Sequence, residues 1–133
     1  MNTYIDKVAL IYLQDKKILM AKSKGKELWF NPGGKREGNE TDEETLIREI
    51  KEELSVDLDP ASVRYYGSFE AQAYGKPEGT IVRMRCYTGT FSGTPTPGNE
   101  VAEVGYLSYN EKHLATVVDH LIFDELKAKG LIE

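Results

Sequence analysis

Residues 34–56 read GKREGNETDEETLIREIKEELSV. On a helix with 3.6 residues per turn, Glu49, Glu52 and Glu53 stand at i, i+3 and i+4, so their carboxylates project from one face. Like charges at that spacing repel each other unless a counter-ion compensates them. Carboxylate oxygens suit Mg²⁺ or Mn²⁺ better than zinc, so the stretch is predicted to hold such a cation. For the three glutamates alone, a solvated acidic helix face is the alternative interpretation.

The same stretch carries its own helix signals. Thr41 followed by Glu44 predicts a capping box, and Asp42 and Glu43 place negative charge at the positive end of the helix dipole. Apolar residues recur every four positions on the side away from the glutamates, at Leu46, Ile50 and Leu54. One helix is therefore expected to carry both a core-packing stripe and a site.

A wider spacing pattern surrounds these glutamates. Gly34 is followed after five residues by Glu40, and after seven more by the run Arg48-Glu49-Ile50-Lys51-Glu52-Glu53. This pattern resembles the signature of the Nudix hydrolases, which cleave nucleoside diphosphates linked to a further group. The family has glycine where this chain has Ser55, at a site where glycine ends a helix in the left-handed conformation. We expect a slightly altered turn there and an intact acidic cluster.

The resemblance implies a role for each matching residue. The metal ligands it implies are the carbonyl of Gly34 and the carboxylates of Glu40, Glu49, Glu52 and Glu53. Among them Glu52 and Glu53 are the principal ligands, and Glu49 is a ligand or the base. Arg48 lies beside Glu49 and four residues before Glu52, so it is expected to orient these carboxylates, an ordinary surface ion pair being the alternative.

The general base of the family is often a glutamate outside the motif, on a loop before a late strand. Glu100 matches that position best, and Glu103 is the second choice. A solvated loop carboxylate is an equally weighted interpretation of Glu100, because acidic loop residues are common and catalytic ones are rare.

Four further residues are predicted to contact the substrate. Lys22 and Lys24 follow the second predicted strand and are expected to meet phosphates, with a solubilising role as the alternative. Arg83 lies on the polar face of a strand whose other face is apolar. Asp119 lies where the MutT-like branch of the family places an Asn or Asp that reads the base edge. A charge at the start of the last helix is the alternative for Asp119.

Composition limits the classes of function. The 133 residues predict a single Nudix domain, 1–133, and a net charge of −5 argues against a nucleic-acid polymer as partner. A bound metal cation must then provide the positive charge that attracts the anionic substrate. The single cysteine, Cys86, excludes an internal disulfide and fits a reducing compartment. Neither a signal-like segment nor an apolar run of about 18 residues is present, so we expect a cytoplasmic protein, monomeric or homodimeric.

The secondary-structure signals predict strands at 8–13, 18–21, 63–71, 80–91 and 104–107, and a last helix capped by Thr116. These elements predict an α/β fold, and the resemblance implies a Nudix-type α/β/α sandwich with a mixed β-sheet.

The activity that the resemblance implies is metal-dependent hydrolysis of a pyrophosphate bond. A nucleoside triphosphate, including oxidised purine nucleotides, would yield the monophosphate and pyrophosphate. Alternatives are an ADP-ribose or sugar-nucleotide pyrophosphatase and a non-catalytic nucleotide-binding regulator.

Overall fold

The acidic stretch forms helix α1 (Asp42–Leu54) in the computed structural model, which describes residues 2–133. Thr41 is the N-cap: its Oγ1 accepts from the Glu44 amide at 3.1 Å, and Glu44 Oε1 accepts from the Thr41 amide at 2.8 Å. The predicted capping box is confirmed. The apolar stripe at Leu46, Ile50 and Leu54 is completely buried, which ties the helix to the core.

Residues 2–133 contain two α-helices, ten strands and two short 3₁₀ turns. The second helix is α2 (Val117–Ala128), and neither helix is long and apolar enough to cross a membrane. The strands are β1 (Thr3–Ile11), β2 (Leu13–Gln14), β3 (Lys17–Ser23), β4 (Trp29–Phe30), β5 (Gly33–Gly34), β6 (Asp57–Leu58), β7 (Arg64–Gln72), β8 (Thr80–Thr88), β9 (Phe91–Ser92) and β10 (Val101–Leu107).

The larger sheet is mixed, with strand order β5-β1-β8-β7. Strands β1 and β8 run parallel, with register from Thr3 opposite Thr80 to Ile11 opposite Thr88. Both outer pairings are antiparallel. A second, antiparallel sheet has the order β10-β3-β2, and β4 pairs with β3 beside it. Strands β6 and β9 form a separate short pair.

Strand β1 divides the apolar interior into two cores. Val8 and Leu10 pack with the buried stripe of α1, whereas Ala9 and Ile11 pack with the buried face of α2. Because successive strand residues point to opposite sides, this alternation places a helix on each face. The predicted α/β/α sandwich is confirmed. Cys86 lies in the α2-side core as a free thiol, and burial raises its pKa to about 12.

Strand boundaries differ from the predictions at three places. The single strand predicted at 80–91 is wrong, because β8 ends at Thr88 and Phe91 pairs with Leu58 of β6 instead. The break is fixed by Ser62, whose Oγ accepts from the Thr90 amide at 2.9 Å. The first strand begins at Thr3 and the last at Val101, earlier than predicted, since both continue pairing beyond their apolar segments.

Ser55 ends α1 in the conformation that the motif glycine would supply. Its backbone has φ 60° and ψ 30°, and its amide donates to the Lys51 carbonyl at 3.1 Å. A non-glycine residue in this left-handed region costs about 1 kcal/mol relative to glycine. The helix therefore ends in the conformation expected of the motif glycine, and it stays helical through Leu54.

Candidate functional site

Two glycines bring the loop before α1 against its acidic face. The Gly33 amide donates to Glu53 Oε1 at 3.0 Å. A Cβ at Gly34 would overlap the Glu49 carboxylate, and a Cβ at Gly33, where φ is +151°, would overlap the Val8 carbonyl. Side chains are thus excluded at both positions, and the backbone of β5 lies directly beside two acidic groups.

Arg48 connects the remaining acidic groups. Its Nη1 donates to Glu49 Oε1 at 2.7 Å and to Glu52 Oε2 at 3.1 Å. Its Nε and Nη2 donate to both Glu40 oxygens, at 2.8 and 3.0 Å. These hydrogen bonds lower the pKa of the Glu40 carboxyl to about 2. The planar guanidinium fixes three carboxylates in defined rotamers, which is the geometry that an orienting role requires.

Glu49 and Glu53 are the two acidic groups of the cluster whose pKa is raised by burial. Burial, with a smaller contribution from the nearby Glu49 charge, raises the pKa of Glu53 to about 8 despite the hydrogen bond from Gly33. Burial also raises the pKa of Glu49. Two half-buried carboxylates in proximity are costly as anions. A divalent cation compensates that charge and prefers oxygen ligands, so this donor set fits Mg²⁺ or Mn²⁺.

Across residues 2–133, no three acidic, histidine or cysteine side chains surround a common point as metal ligands would. The hydrogen bonds that these acidic side chains make explain why their carboxylates do not converge. Glu40 is turned towards Arg48 by both of its oxygens, Glu52 contacts the same guanidinium, and Glu53 Oε1 faces the Gly33 amide. The ligand set Gly34, Glu40, Glu49, Glu52 and Glu53 therefore stays a prediction.

A cavity of about 410 Å³ adjoins these acids. Gly34 and Glu53 form part of its lining, as do the apolar side chains of Val82 and Met84 from β8. Tyr74, with an exposed fraction of 64%, also borders it. A cleft of this volume with mostly apolar walls and a few polar groups is suited to a nucleotide-sized molecule.

Asp119 belongs to the lining of this cavity and is completely buried. Its Oδ2 accepts from the Thr116 hydroxyl, and its Oδ1 accepts from the Asn31 amide at 3.4 Å. Thr116 occupies the N-cap position of α2, as predicted, but its side chain makes no capping hydrogen bond to the backbone. The Thr116 hydroxyl donates to the Asp119 carboxylate instead. Burial raises the pKa of Asp119 to about 6, partly offset by these hydrogen bonds and by Lys7.

Asp119 is expected to make stability depend on pH. Its carboxyl binds a proton more tightly in the folded chain than in the unfolded one, so its contribution is greatest below about pH 4 and is lost as the pH rises to about 6. Relative to Asp119→Asn, the wild type should lose about 2 kcal/mol of unfolding free energy between pH 4 and pH 8, given a pKa moved from 3.8 to about 6. Urea unfolding of both proteins between pH 4 and pH 8 measures this difference, and parallel pH curves would contradict it.

Three predicted substrate contacts lie outside the lining of this cavity. Lys22 pairs with Glu103 at 2.6 Å, and Lys24 is exposed, its amide donating to the carbonyl of Glu100. Arg83 pairs with Glu70 at 3.0 Å. It borders a separate basic cleft on the opposite face of β8 from Val82 and Met84. The substrate roles of these residues stay predictions.

Glu100, the predicted general base, is exposed and immediately precedes β10. Its loop is tied to the end of α1, because the Gly98 amide donates to the Glu53 carbonyl at 3.0 Å. The loop is thereby held next to the acidic helix. Its catalytic role stays a prediction.

Two cavity-lining residues were missed by the sequence interpretation. Lys7 projects from β1, half-buried, and desolvation followed by the charge of Lys35 lowers its pKa. Asn31 lies in the turn before β5 with an exposed fraction of 2%. The available signals were a lysine that precedes an apolar strand and an asparagine that follows Leu-Trp-Phe. Neither signal indicates by itself that the side chain enters a cavity.

Comparison with known proteins identifies the domain. The sequence model of the NUDIX domain matches residues 4–122. A 30-residue segment is 53% identical to the 8-oxo-dGTP diphosphatase of Proteus vulgaris and covers 23% of this chain. The match spans only 27% of the length of that curated relative.

Solved structures agree over nearly the whole chain. The E. coli ORF135 protein is 27% identical with a TM-score of 0.73, covering 96% of this chain and 91% of the other. A MutT NUDIX hydrolase from Burkholderia pseudomallei is 22% identical with a TM-score of 0.73, covering 95% and 98% respectively. The latter similarity shows the fold alone.

Proposed function

Because the chain belongs to the Nudix family, we propose that it is a MutT-like member that hydrolyses a pyrophosphate bond in a nucleoside diphosphate derivative with the help of a divalent metal. The proposed substrate is a nucleoside triphosphate, including oxidised purine nucleotides, and the products are the monophosphate and pyrophosphate. The observation that carries this proposal is the contact of the Gly33-Gly34 backbone with Glu49 and Glu53 at the edge of the cavity.

The reaction requires compensation of phosphate charge. A divalent cation held by the Gly34 carbonyl, Glu40, Glu49, Glu52 and Glu53 would neutralise the diphosphate oxygens and orient the attacking water. Arg48 keeps the carboxylates of Glu40, Glu49 and Glu52 oriented through its guanidinium. Glu100 is our proposed general base, on a loop that is hydrogen-bonded to the end of α1.

The cavity supports a nucleotide as the substrate. Apolar walls at Val82 and Met84 suit the faces of a base, and the buried Asp119 carboxylate suits its polar edge. The short segment shared with a protein named 8-oxo-dGTP diphosphatase supports an oxidised purine nucleotide among the substrates. A non-catalytic regulator would gain nothing from the crowded acidic cluster.

The remaining assignments complete this proposal. We propose Mg²⁺ as the metal, with Mn²⁺ as a substitute, and a small-molecule nucleotide as the partner. We place the protein in the cytoplasm, as a monomer or homodimer of one domain, 1–133. The buried free thiol of Cys86 supports a reducing compartment.

Removal of the metal should abolish the activity. We expect turnover of at least one substrate in a panel of nucleoside triphosphates, oxidised nucleotides, ADP-ribose and dinucleoside polyphosphates in Mg²⁺ or Mn²⁺. Excess EDTA should remove it, and added Mg²⁺ should restore it, because the phosphate charge would otherwise stay uncompensated. Product analysis by ion-exchange chromatography measures both results. Turnover that persisted in EDTA, or no turnover of any substrate in either metal, would refute the proposal.

A further inference from the structure

The loop between β9 and β10, residues 93–100, contacts the last turn of α1. The Thr96 amide donates to the Leu54 carbonyl at 2.8 Å, and the Gly98 amide donates to the Glu53 carbonyl at 3.0 Å. The last four carbonyls of a helix have no partner within the helix, so these two hydrogen bonds satisfy groups that would otherwise be unpaired. The loop is thus held against the part of the backbone that carries Glu53.

Gly98 makes this close approach possible. A Cβ at this position would overlap the carbonyl oxygen of Glu52 and lie 3.1 Å from Ser55 Oγ. The backbone of Gly98 is not in the left-handed region, so a side chain is excluded by lack of space and not by the conformation of the chain. Glycine commonly occupies positions where backbone comes this close to another group. Any larger residue must therefore displace the loop or the helix.

Glu100 follows Gly98 by two residues and has a fixed backbone. Its carbonyl accepts from the Lys24 amide at 2.8 Å, and the Gly98 carbonyl accepts from the Val101 amide at 2.9 Å. Val101, the first residue of β10, is buried, whereas the side chain of Glu100 is exposed. The position of the Glu100 carboxylate therefore depends on how residues 93–100 contact α1.

A displacement at this contact should move the loop and not the helix. The buried apolar stripe of α1 ties the helix to the core, whereas most of residues 93–100 are exposed. Movement of close-packed side chains disrupts the core, but an exposed loop can shift at a small cost in free energy. A methyl group added at Gly98 would thus shift Glu100 relative to the acidic face of α1.

We propose that Gly98 is a positioning residue of the hydrolysis: by allowing the loop to contact α1, it sets the distance between the Glu100 carboxylate and the acidic face of the helix. This inference rests on the proposed function, in which Glu100 is the general base. A general base must lie within hydrogen-bond reach of the water that it deprotonates, and a misplacement of about 1 Å can lower the rate about 100-fold. Gly98 would therefore control turnover through Glu100.

Gly98→Ala tests this proposal directly. The variant should lower kcat by about 10- to 100-fold, because the base is displaced from the attacking water. Since the cavity and α1 keep their positions, KM for the nucleotide and the Mg²⁺ concentration that gives half-maximal rate should stay within about twofold of the wild type. Steady-state kinetics with the best substrate of the nucleotide panel measure all three values.

Gly67→Ala is the matched control. Gly67 lies in β7, its backbone is likewise outside the left-handed region, and an added Cβ would make an ordinary contact with the Phe69 ring at 3.9 Å. This variant should keep kcat within about twofold of the wild type. Urea unfolding of both alanine variants shows whether each one is folded.

A double-mutant cycle with Glu100→Gln shows whether Gly98 acts through Glu100. Gly98→Ala should lower kcat in the wild-type background, but by less than about twofold in the Glu100→Gln background, because the base is already absent there. If Gly98 had a merely structural role, the two losses of kcat would multiply. This comparison therefore separates positioning of the base from a general loss of stability.

Glu100→Asp is a second variant, and it leaves the contact at Gly98 untouched. The side chain is exposed, so the substitution should not disturb the fold. It withdraws the carboxylate by one methylene group, and kcat should fall by about 10-fold or more with KM unchanged. This variant decides the proposal if Gly98→Ala is unfolded.

Three results with an active wild type would overturn the proposal. Gly98→Ala would keep the wild-type kcat, Gly98→Ala would lower kcat by the same factor in both backgrounds, or either Glu100 variant would keep the wild-type kcat. Absence of turnover by the wild type is a separate outcome, because it refutes the proposed function itself.

Discussion

Replacing Glu53 by glutamine is expected to lower kcat by about 100- to 1000-fold, the usual effect of removing one electrostatic group from a preorganised site. Glu53 combines burial, contact with the Gly33 amide and proximity to Glu49, so its carboxylate would be stabilised by the bound cation and would act with little solvent screening. Glutamine retains the shape of the side chain and removes the charge. Steady-state kinetics at saturating Mg²⁺ measure the loss, and Glu52→Gln should change kcat in the same direction.

Glu43 on the same helix provides the matched control. It is exposed in the first turn of α1, where its charge interacts favourably with the helix dipole, and it lies outside the lining of the cavity beside the acidic cluster. Glu43→Gln should keep kcat within about twofold of the wild type. Unfolding midpoints measured in parallel show whether either variant has lost its fold. Equal losses of kcat in Glu43→Gln and Glu53→Gln would show that helix stability explains the acidic pattern and metal chemistry does not.

Arg48→Lys should lower kcat/KM by about 10- to 100-fold and raise the Mg²⁺ concentration that gives half-maximal rate. Lysine keeps the positive charge but lacks the planar fork that contacts Glu40, Glu49 and Glu52 together. The carboxylates would then lose their fixed rotamers. Titration of Mg²⁺ at saturating nucleotide measures the change.

Lys51→Ala is the control that tests whether loss of any positive charge on α1 changes the Mg²⁺ dependence. Lys51 pairs with the exposed Asp57 at 3.1 Å, away from the acidic cluster, and its loss should leave the Mg²⁺ dependence unchanged. An Arg48→Lys variant with the Mg²⁺ dependence of the wild type would assign Arg48 to an ordinary surface ion pair.

Much of the fold could be predicted from the sequence because the relevant signals are local. The capping box at Thr41 and Glu44 and the four-residue apolar spacing of α1 lie within one helix, and both are confirmed. The hairpin between β2 and β3 is equally local, since Asp15 and Lys16 at its turn both have positive φ values. Interruption of β8 was not predictable, since it depends on Ser62, distant in sequence.

The cavity required information that is not local. Lys7, Asn31 and Asp119 come from β1, the turn before β5, and α2, and only the packed sheets bring them together. Asp119 was identified by family resemblance and by no property of its own sequence environment. Arg48 shows the same limit, because spacing along the helix predicts contacts with Glu49 and Glu52 but not the hydrogen bonds to Glu40 from the preceding loop.

Pairing of β1 with β8 has a consequence for how the chain folds. The first strand is parallel to a strand that begins at Thr80, so its contacts are among the most distant in sequence. Loops that long close slowly, and mixed sheets of high contact order fold more slowly than helical bundles. During synthesis, β1 cannot pair with β8 until β8 has left the ribosome. Until then, its only neighbour in the sheet is the short β5. The apolar segment Val8–Ile11 of the nascent chain is therefore exposed to aggregation and to chaperones until β8 pairs with it.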